Sequence, residues 1–521
     1  MKKKNIIIVM AIVLGIVSIL GLSYAYFVSN ISTENKDNSN TSISTGSAVE
    51  AILEIPSKGH DTKIIPGIKT SKEYIVKGKG DSNSIPTEAS LVVNASLGDF
   101  KDVVKWKLYK SDEEITCTRE LDTTSLKIKY ISNCTIPDDA TLVLDSDNSY
   151  LINYINLTIN YNTYNKYYLV TEYIDTNEDQ SDLMDKSFSI DVSLEKRIVS
   201  IQDNIIASLD TSGKCPTVND DGTVSVTAAE SENSLLCSAP DAYGTSYYYR
   251  GNVTNNYVYF AGFYWRIIRI NGDGSVRMIY DGTSAHANGE ASEDRIVGMS
   301  VYNDKYTDNA YVGYMYGTPG SSSYAETHAN KNDSNVKKYI DAWYENNLKN
   351  TDYEKYLADN IFCNDRSISA GKYGSAFNNL GYGGNATGYR WIYFPWDDND
   401  YNDKVFLSCK QKNDAFTVDD TFYGNGNLKY PISLISSDEA VLNGTYNSKN
   451  SNFFLYSGYE YWFITPTKFN TEATINERMV ASGVLGYTQG YKESGVKPVI
   501  NLKINALKKG LGTINAPFVV E

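Results

Sequence analysis

Histidine is nearly absent from this chain: His60, His286 and His328 are the only three in 521 residues. None lies near a cysteine in sequence, and neither HExxH nor CxxC occurs, so the usual zinc-site spacings are excluded. No GxSxG occurs, and no cysteine sits in a recognisable nucleophile context. Positive charge is also short. Lys and Arg number 48 against 63 Asp and Glu, a net charge of −15. Nucleic acid and anionic lipid surfaces need basic patches, so both are disfavoured as partners. What remains is ordinary for globular protein, with 41% apolar and 21% charged residues, which is too apolar for a disordered chain. The length allows two or three domains.

Tyrosine is abundant, at 43 residues. It forms strands on half-exposed sheets and gives rigid contact area with a polar tip. Six cysteines fall into three local pairs: Cys117 with Cys134, Cys215 with Cys237, and Cys363 with Cys409. Six cysteines allow fifteen connectivities, so nearest-neighbour pairing is a preference and not a deduction.

The start of the chain reads as an export segment. Lys2, Lys3 and Lys4 precede an apolar run from Ile6 to Leu22, followed by Ser23-Tyr24-Ala25-Tyr26-Phe27. Residues 1–28 are either a signal peptide cleaved after Ala25 or a retained transmembrane helix, with the cationic end cytoplasmic. Export makes disulfides the expected state of the cysteines. Residues 29–47, rich in Ser, Thr, Asn and charge, read as a flexible tether.

The expected fold class is mainly β with an α+β part. Over 48–196, short strand-like runs recur at Val49–Ile55, Lys72–Val76, Ala89–Ala95, Val103–Tyr109, Leu126–Ile131, Thr141–Leu144, Tyr150–Tyr161, Lys166–Tyr173 and Phe188–Leu194. Strands without helices predict a β-sandwich. The region resembles the camelysin and TasA-like family of exported surface and biofilm-fibre proteins. The likeness rests on the leader ending SYAYF, on STGS at Ser44 to Ser47, and on Pro66-Gly67. The segment from Tyr167 to Val192 is similar to the closing strands of related Gram-positive surface proteins. Some camelysins are described as metallopeptidases, but nothing in this sequence supports that chemistry. Asp175, Asn177, Asp179 and Asp182 form an acidic loop with alternating oxygens, a weak calcium candidate that lacks the EF-hand Gly and Glu.

Leu194, Ile198, Ile201, Ile205 and Leu209 fall on one helical stripe, which predicts a linker helix at 197–212. The remainder, 213–521, reads as one α+β domain. Its organising stretch runs from Tyr257 to Gly282, where two apolar runs flank Asn271-Gly272-Asp273-Gly274, a strong hairpin signal. Both faces of its first strand are largely apolar, so that strand is expected at the sheet centre. Cys215 and Cys237 bracket a polar hairpin turning at Asp220-Asp221-Gly222. Ser334 caps a helix to about Leu348, a second short helix is expected at Tyr353 to Asn360, and Ser436 to Glu439 is a capping box. Strands are expected at Tyr459–Thr465, Met479–Tyr487 and Val496–Lys503 in an antiparallel sheet.

The set formed by the hairpin, IFCNDRS (Ile361 to Ser367), YPISLISSDEAVLNG (Tyr430 to Gly444), YWFITP (Tyr461 to Pro466) and GVKPVINL (Gly495 to Leu502) resembles an uncharacterised domain common on surface proteins of gut Firmicutes. The two last motifs are also similar to the C-type-lectin-like and formylglycine-generating-enzyme-like fold. That resemblance implies a variable ligand face on the final strands and loops. Formylglycine chemistry does not transfer, because paired active-site cysteines are not visible.

The most suggestive segment for binding is Trp391, Tyr393, Phe394 and Trp396, followed by Asp397, Asp398, Asn399, Asp400, Tyr401, Asn402 and Asp403. Flat rings beside carboxylates and amides suit sugar recognition, and the same acids suit calcium. Trp391, Tyr393, Trp396, Asp398, Asp400 and Asp403 are therefore the candidate ligand-binding residues. His286 and Glu290 match no metal motif. No spacing singles out a glycosidase-like carboxylate pair among the many acids. The expectation is a non-enzymatic adhesion protein on the outer side of the cell membrane, or secreted if cleaved, binding a glycan or a protein on another surface. A biofilm-fibre subunit and a secreted hydrolase are the alternatives.

Overall fold

The computed structural model describes residues 31–36, 38–43, 48–56, 65–122, 129–149, 153–176, 178, 180–183, 186–226, 234–369, 380–390, 404–445 and 451–520. The export segment lies outside them. No helix among the described residues is long and apolar enough to cross a membrane. The chain is mainly β and divides into two compact units, Met1–Val199 and Ser200–Glu521.

The first unit contains β1 (Ile31–Lys36), β2 (Asn38–Ile43), β3 (Glu50–Glu54), β4 (Lys69–Lys79), β5 (Thr87–Ser96), β6 (Val104–Lys110), β7 (Thr116–Asp122), β8 (Lys129–Thr135), β9 (Thr141–Asp145), β10 (Tyr154–Ile159), β11 (Tyr164–Tyr173) and β12 (Ser189–Lys196). A seven-stranded sheet runs β1-β2-β3-β4-β11-β6-β9, and a three-stranded sheet runs β10-β5-β12. Period-two patterning decides the faces. In β6, Val104, Trp106 and Leu108 are buried, while Lys105 and Lys107 lie on the other side. Trp106, Leu108, Tyr74, Val76 and Leu169 of the large sheet share one core with Leu91, Val93, Ile159, Val192 and Leu194 of the small one. This is a β-sandwich, and each fully buried large apolar side chain contributes roughly 1.5–3 kcal/mol. β7 has no apolar alternation and was not expected from sequence. It pairs with β8, Cys117 opposite Cys134.

The expected linker helix is half wrong. Leu194 belongs to β12, pairs with Leu91 and is buried in the sandwich. The helix covers only Ile201–Ile206, started by a capping box between Ser200 and Asp203. Strand pairing outcompetes the apolar stripe at its start, because Leu194 alternates with Val192 on the buried face of β12 as well as standing four residues before Ile198.

In the second unit the small hairpin β13 (Thr217–Val218) and β14 (Val224–Ser225) precedes β15 (Ser234–Pro240), β16 (Thr245–Gly251), β17 (Tyr257–Phe260), β18 (Phe263–Ile270) and β19 (Val276–Gly282). β18 is central, as expected. It pairs with β17, β19 and, at its end, β16. The turn after it is closed by Gly274 N–H to the Asn271 carbonyl and Asn271 N–H to the Ser275 carbonyl, with Gly274 at φ +83°. β19 then pairs with the strand Val499–Leu502. Trp343, on the helix Asn335–Asn347 capped by Ser334, packs its ring against Phe263, Trp265 and Tyr280.

A second sheet is built on Tyr461–Phe469, Thr474–Met479 and Leu485–Gln489. The expected strand Met479–Tyr487 takes in the end of the second of these, a turn at 480–484 and the first residues of the third. The expected helix at Tyr353 to Asn360 shrinks to one 3-10 turn, Glu354–Tyr356. The sheets are mostly antiparallel, with parallel pairings of β17 to Phe518–Val520 and of Tyr461 to Gly495.

All three disulfides are the nearest-neighbour pairs: Cys117–Cys134, Cys215–Cys237 and Cys363–Cys409. The last closes a separation of 46 residues. Chain-entropy reasoning sets its worth at about 4 kcal/mol. Replacing both Cys363 and Cys409 by Ala should lower the unfolding free energy of this unit by about that amount. Urea denaturation of oxidised wild type and variant checks it.

Candidate functional site

The aromatic and acidic segment containing Trp391, Tyr393, Trp396, Asp398, Asp400 and Asp403 lies outside the described residues. Its two ends are described, and both are held by one carboxylate. Arg390 Nη2 donates to Asp438 Oδ1 and Oδ2 at 2.8 and 2.6 Å. The Phe406 amide donates to Asp438 Oδ1 at 3.0 Å. The Arg390 guanidinium lies 3.9 Å from the centre of the Phe406 ring, and its Nε donates to Asp365 at 2.6 Å. Burial alone would make this arginine easier to deprotonate. Asp438 and Asp365 overcome that and hold it firmly charged.

Asp438 is placed by local chemistry. It sits in the first turn of the helix Ser437–Asn443, whose capping box is formed by Ser436 and Glu439, with Gly444 at φ +123° after its end. The next residue, Glu439, points into the core. It accepts from Arg269 Nε at 3.1 Å and from Arg277 Nη2 at 3.4 Å, and Arg277 Nε lies 2.6 Å away as an ion-pair contact outside hydrogen-bond geometry. Arg269 Nη1 also donates to Asp241 at 2.8 Å. Burial pushes the Glu439 carboxyl up, but the two arginines win and hold it below its ordinary value. Arg269, Arg277, Phe406, Ser436, Asp438 and Glu439 line a small cleft between the hairpin and the segment's ends.

A third cluster surrounds the HANGE sequence. His286 Nδ1 is 2.8 Å from Glu290 Oε1, and its Nε2 is 2.7 Å from Asp294 Oδ1, the latter as an ion-pair contact outside hydrogen-bond geometry. Asp294 Oδ2 also accepts from the Thr283 amide and hydroxyl. Burial raises the Asp294 carboxyl, but Ser292, His286 and Thr283 together hold it well below the usual range. Beside it, Asp281 receives Arg295 at 2.7 and 2.9 Å, with Lys497 Nζ at 3.6 Å and Arg266 at 3.8 Å. The Tyr257 hydroxyl donates to the His286 carbonyl at 2.7 Å, and among the described residues no Ser or Thr hydroxyl is hydrogen-bonded to the His286 ring.

His328 is a core residue. Its Nε2 is 3.2 Å from the Tyr389 hydroxyl, and burial lowers its pKa well below the ordinary value. Of the weak calcium candidates, Asn177 and Asp179 lie outside the described residues. Asp175 and Asp182 are described, and no group of three or more possible metal ligands occurs among the described residues.

Compared with known proteins, the chain matches no family model, and no curated relative is similar to it.

Asp365, Asp438, Glu439 and their arginines were missed from sequence. A signal was available: Arg266 and Arg269 interrupt an apolar strand, and buried arginines require partners. Two outcomes follow. Glu439→Gln leaves Arg269 and Arg277 short of counter-charge and should destabilise the unit by ~3–5 kcal/mol, read by urea denaturation. Burial pushes the Lys497 ammonium down to about 7, against an unfolded value of about 10.4. Between those values the unfolded chain binds the extra proton, so this group favours folding increasingly as pH rises. Lys497→Met removes that dependence. Its stability relative to wild type should be highest near neutral pH and decline toward about pH 10, and a flat difference would contradict the assignment.

Proposed function

We propose that this protein is a non-enzymatic binding protein displayed outside the cell, a β-sandwich followed in the chain by a C-type-lectin-like binding head. The observation that carries the reading is the clamp on residues 391–403. Asp438 holds Arg390 on one side and Phe406 on the other, so the segment richest in sugar-binding side chains starts and ends at fixed points. Preorganised ends reduce the ordering cost of binding. Location outside the cell is supported by the export segment and by the three disulfides. The non-enzymatic reading is supported by the engagement of Glu439, Asp438 and Asp281 in buried ion pairs that fix the fold.

The ligand class is a glycan, or a protein bearing one. The full chain applied to a glycan array should give reproducible binding that falls at least tenfold, about 1.4 kcal/mol, on Trp396→Ala. Catalytic turnover that disappears on replacing one buried carboxylate would instead establish a hydrolase. A fibre subunit is the second reading. It is favoured by β10 and β12, which flank β5 and have no further strand paired outside them among the described residues. Filaments that grow with concentration, without array binding, would establish it.

A further inference from the structure

We propose a second saccharide site, formed by residues other than 391–403, at the corner of Phe422 and Tyr423. The loop Thr417–Leu428 is closed by Leu428 N–H to the Thr417 carbonyl at 2.9 Å. Its backbone is fixed by two carboxylates. Asp359 accepts the amides of Val418, Asp419 and Asp420 at 2.9, 2.8 and 3.0 Å. Asp420 accepts those of Phe422 and Tyr423 at 2.8 and 3.0 Å, and the Tyr243 hydroxyl at 2.7 Å. Gly424 packs on Thr417 so closely that a Cβ would come within 2.1 Å of the threonine hydroxyl.

A loop ordered this thoroughly nevertheless holds Phe422 80% exposed and Tyr423 43% exposed. Their ring centres are 4.6 Å apart and the rings nearly perpendicular, at 85°. Tyr423 is backed in turn by Tyr243 at 4.7 Å. The result is a rigid aromatic corner, with one face open to solvent and its ordering cost already met in the free protein.

The occupant follows from size and charge. A protein partner needs about 800 Å² of contact with an apolar centre. Here two rings stand in a loop whose Asp419 and Thr421 are exposed, with Lys412 Nζ donating to the Thr421 carbonyl at 2.6 Å. That scale fits a single pyranose ring, its C–H face on Phe422 and its hydroxyls on these polar groups. Asp359, Asp419 and Asp420 repel acidic sugars, so the ligand class is a neutral hexopyranoside with equatorial hydroxyls, which leave a flat apolar face.

Saturation-transfer NMR of the full chain tests this, with cellotriose and triacetylchitotriose as neutral probes and trigalacturonate as the acidic one. At least one neutral probe should bind, trigalacturonate should not, and Phe422→Ala and Tyr423→Ala should each weaken the neutral probe by roughly tenfold. Phe422 is exposed, so its removal leaves the core untouched. Trp396→Ala should change nothing here. Loss with Trp396→Ala but not with Phe422→Ala would overturn the second site while sustaining the binding head. Absence of neutral-probe binding, or self-association abolished by Phe422→Ala, would overturn it as well.

Discussion

Charge buried in a protein interior must meet opposite charge, and the second unit is arranged around that requirement at one point. Asp438 and Glu439 are neighbours in the chain, both buried at the start of a seven-residue helix. Asp438 faces Arg390 and the Phe406 amide, while Glu439 faces Arg269 and Arg277. Arg269 passes the contact to Asp241, whose carboxylate also accepts the Gly272 amide in the hairpin turn. The central hairpin, the turn between β15 and β16, and the ends of residues 391–403 are thus tied to one capping box. Such a network does not necessarily stabilise more than an apolar core would. Removing one member is costly, however, and alternative packings leave a charge unpaired, so it restricts the unit to one arrangement.

That restriction suits recognition. A binding surface gains affinity when its supports are rigid before the ligand arrives. The same logic operates at the Phe422 corner, where backbone amides converge on Asp359 and Asp420. At this corner acids hold the backbone that carries two exposed rings. This gives the acidic composition a role in positioning rings that does not require metal binding.

Local chemistry was legible in the sequence, and distant chemistry was not. The hairpin turn, the Ser334 and Ser436 caps and the three disulfides each depend on residues close together or on a short pairing preference. The Arg269–Glu439 pair joins residues 170 apart, and no periodicity reports it. Errors arose where two periods coexist, as at Leu194, and where apolar residues continue through a turn, as between Met479 and Leu485. β7 escaped because its sequence is polar and its place is set by its pairing with β8 and the Cys117–Cys134 bridge. The aromatic and acidic segment was legible as composition, whereas the clamp at its ends required the fold.

The clamp and the disulfide act on the same stretch at different scales. Cys363–Cys409 encloses residues 391–403 within a long covalent loop. The Arg390 and Phe406 contacts, both to Asp438, close a loop about a third of that length. Loop-closure entropy scales with the logarithm of length, so this second closure costs about 1 kcal/mol less than closing the full loop would. Both constraints are made by residues outside 391–403: Cys363, Cys409, Arg390, Phe406 and Asp438. For the binding head proposed above, supports placed outside the recognition segment would leave that segment's side chains to be chosen for the ligand rather than for the fold.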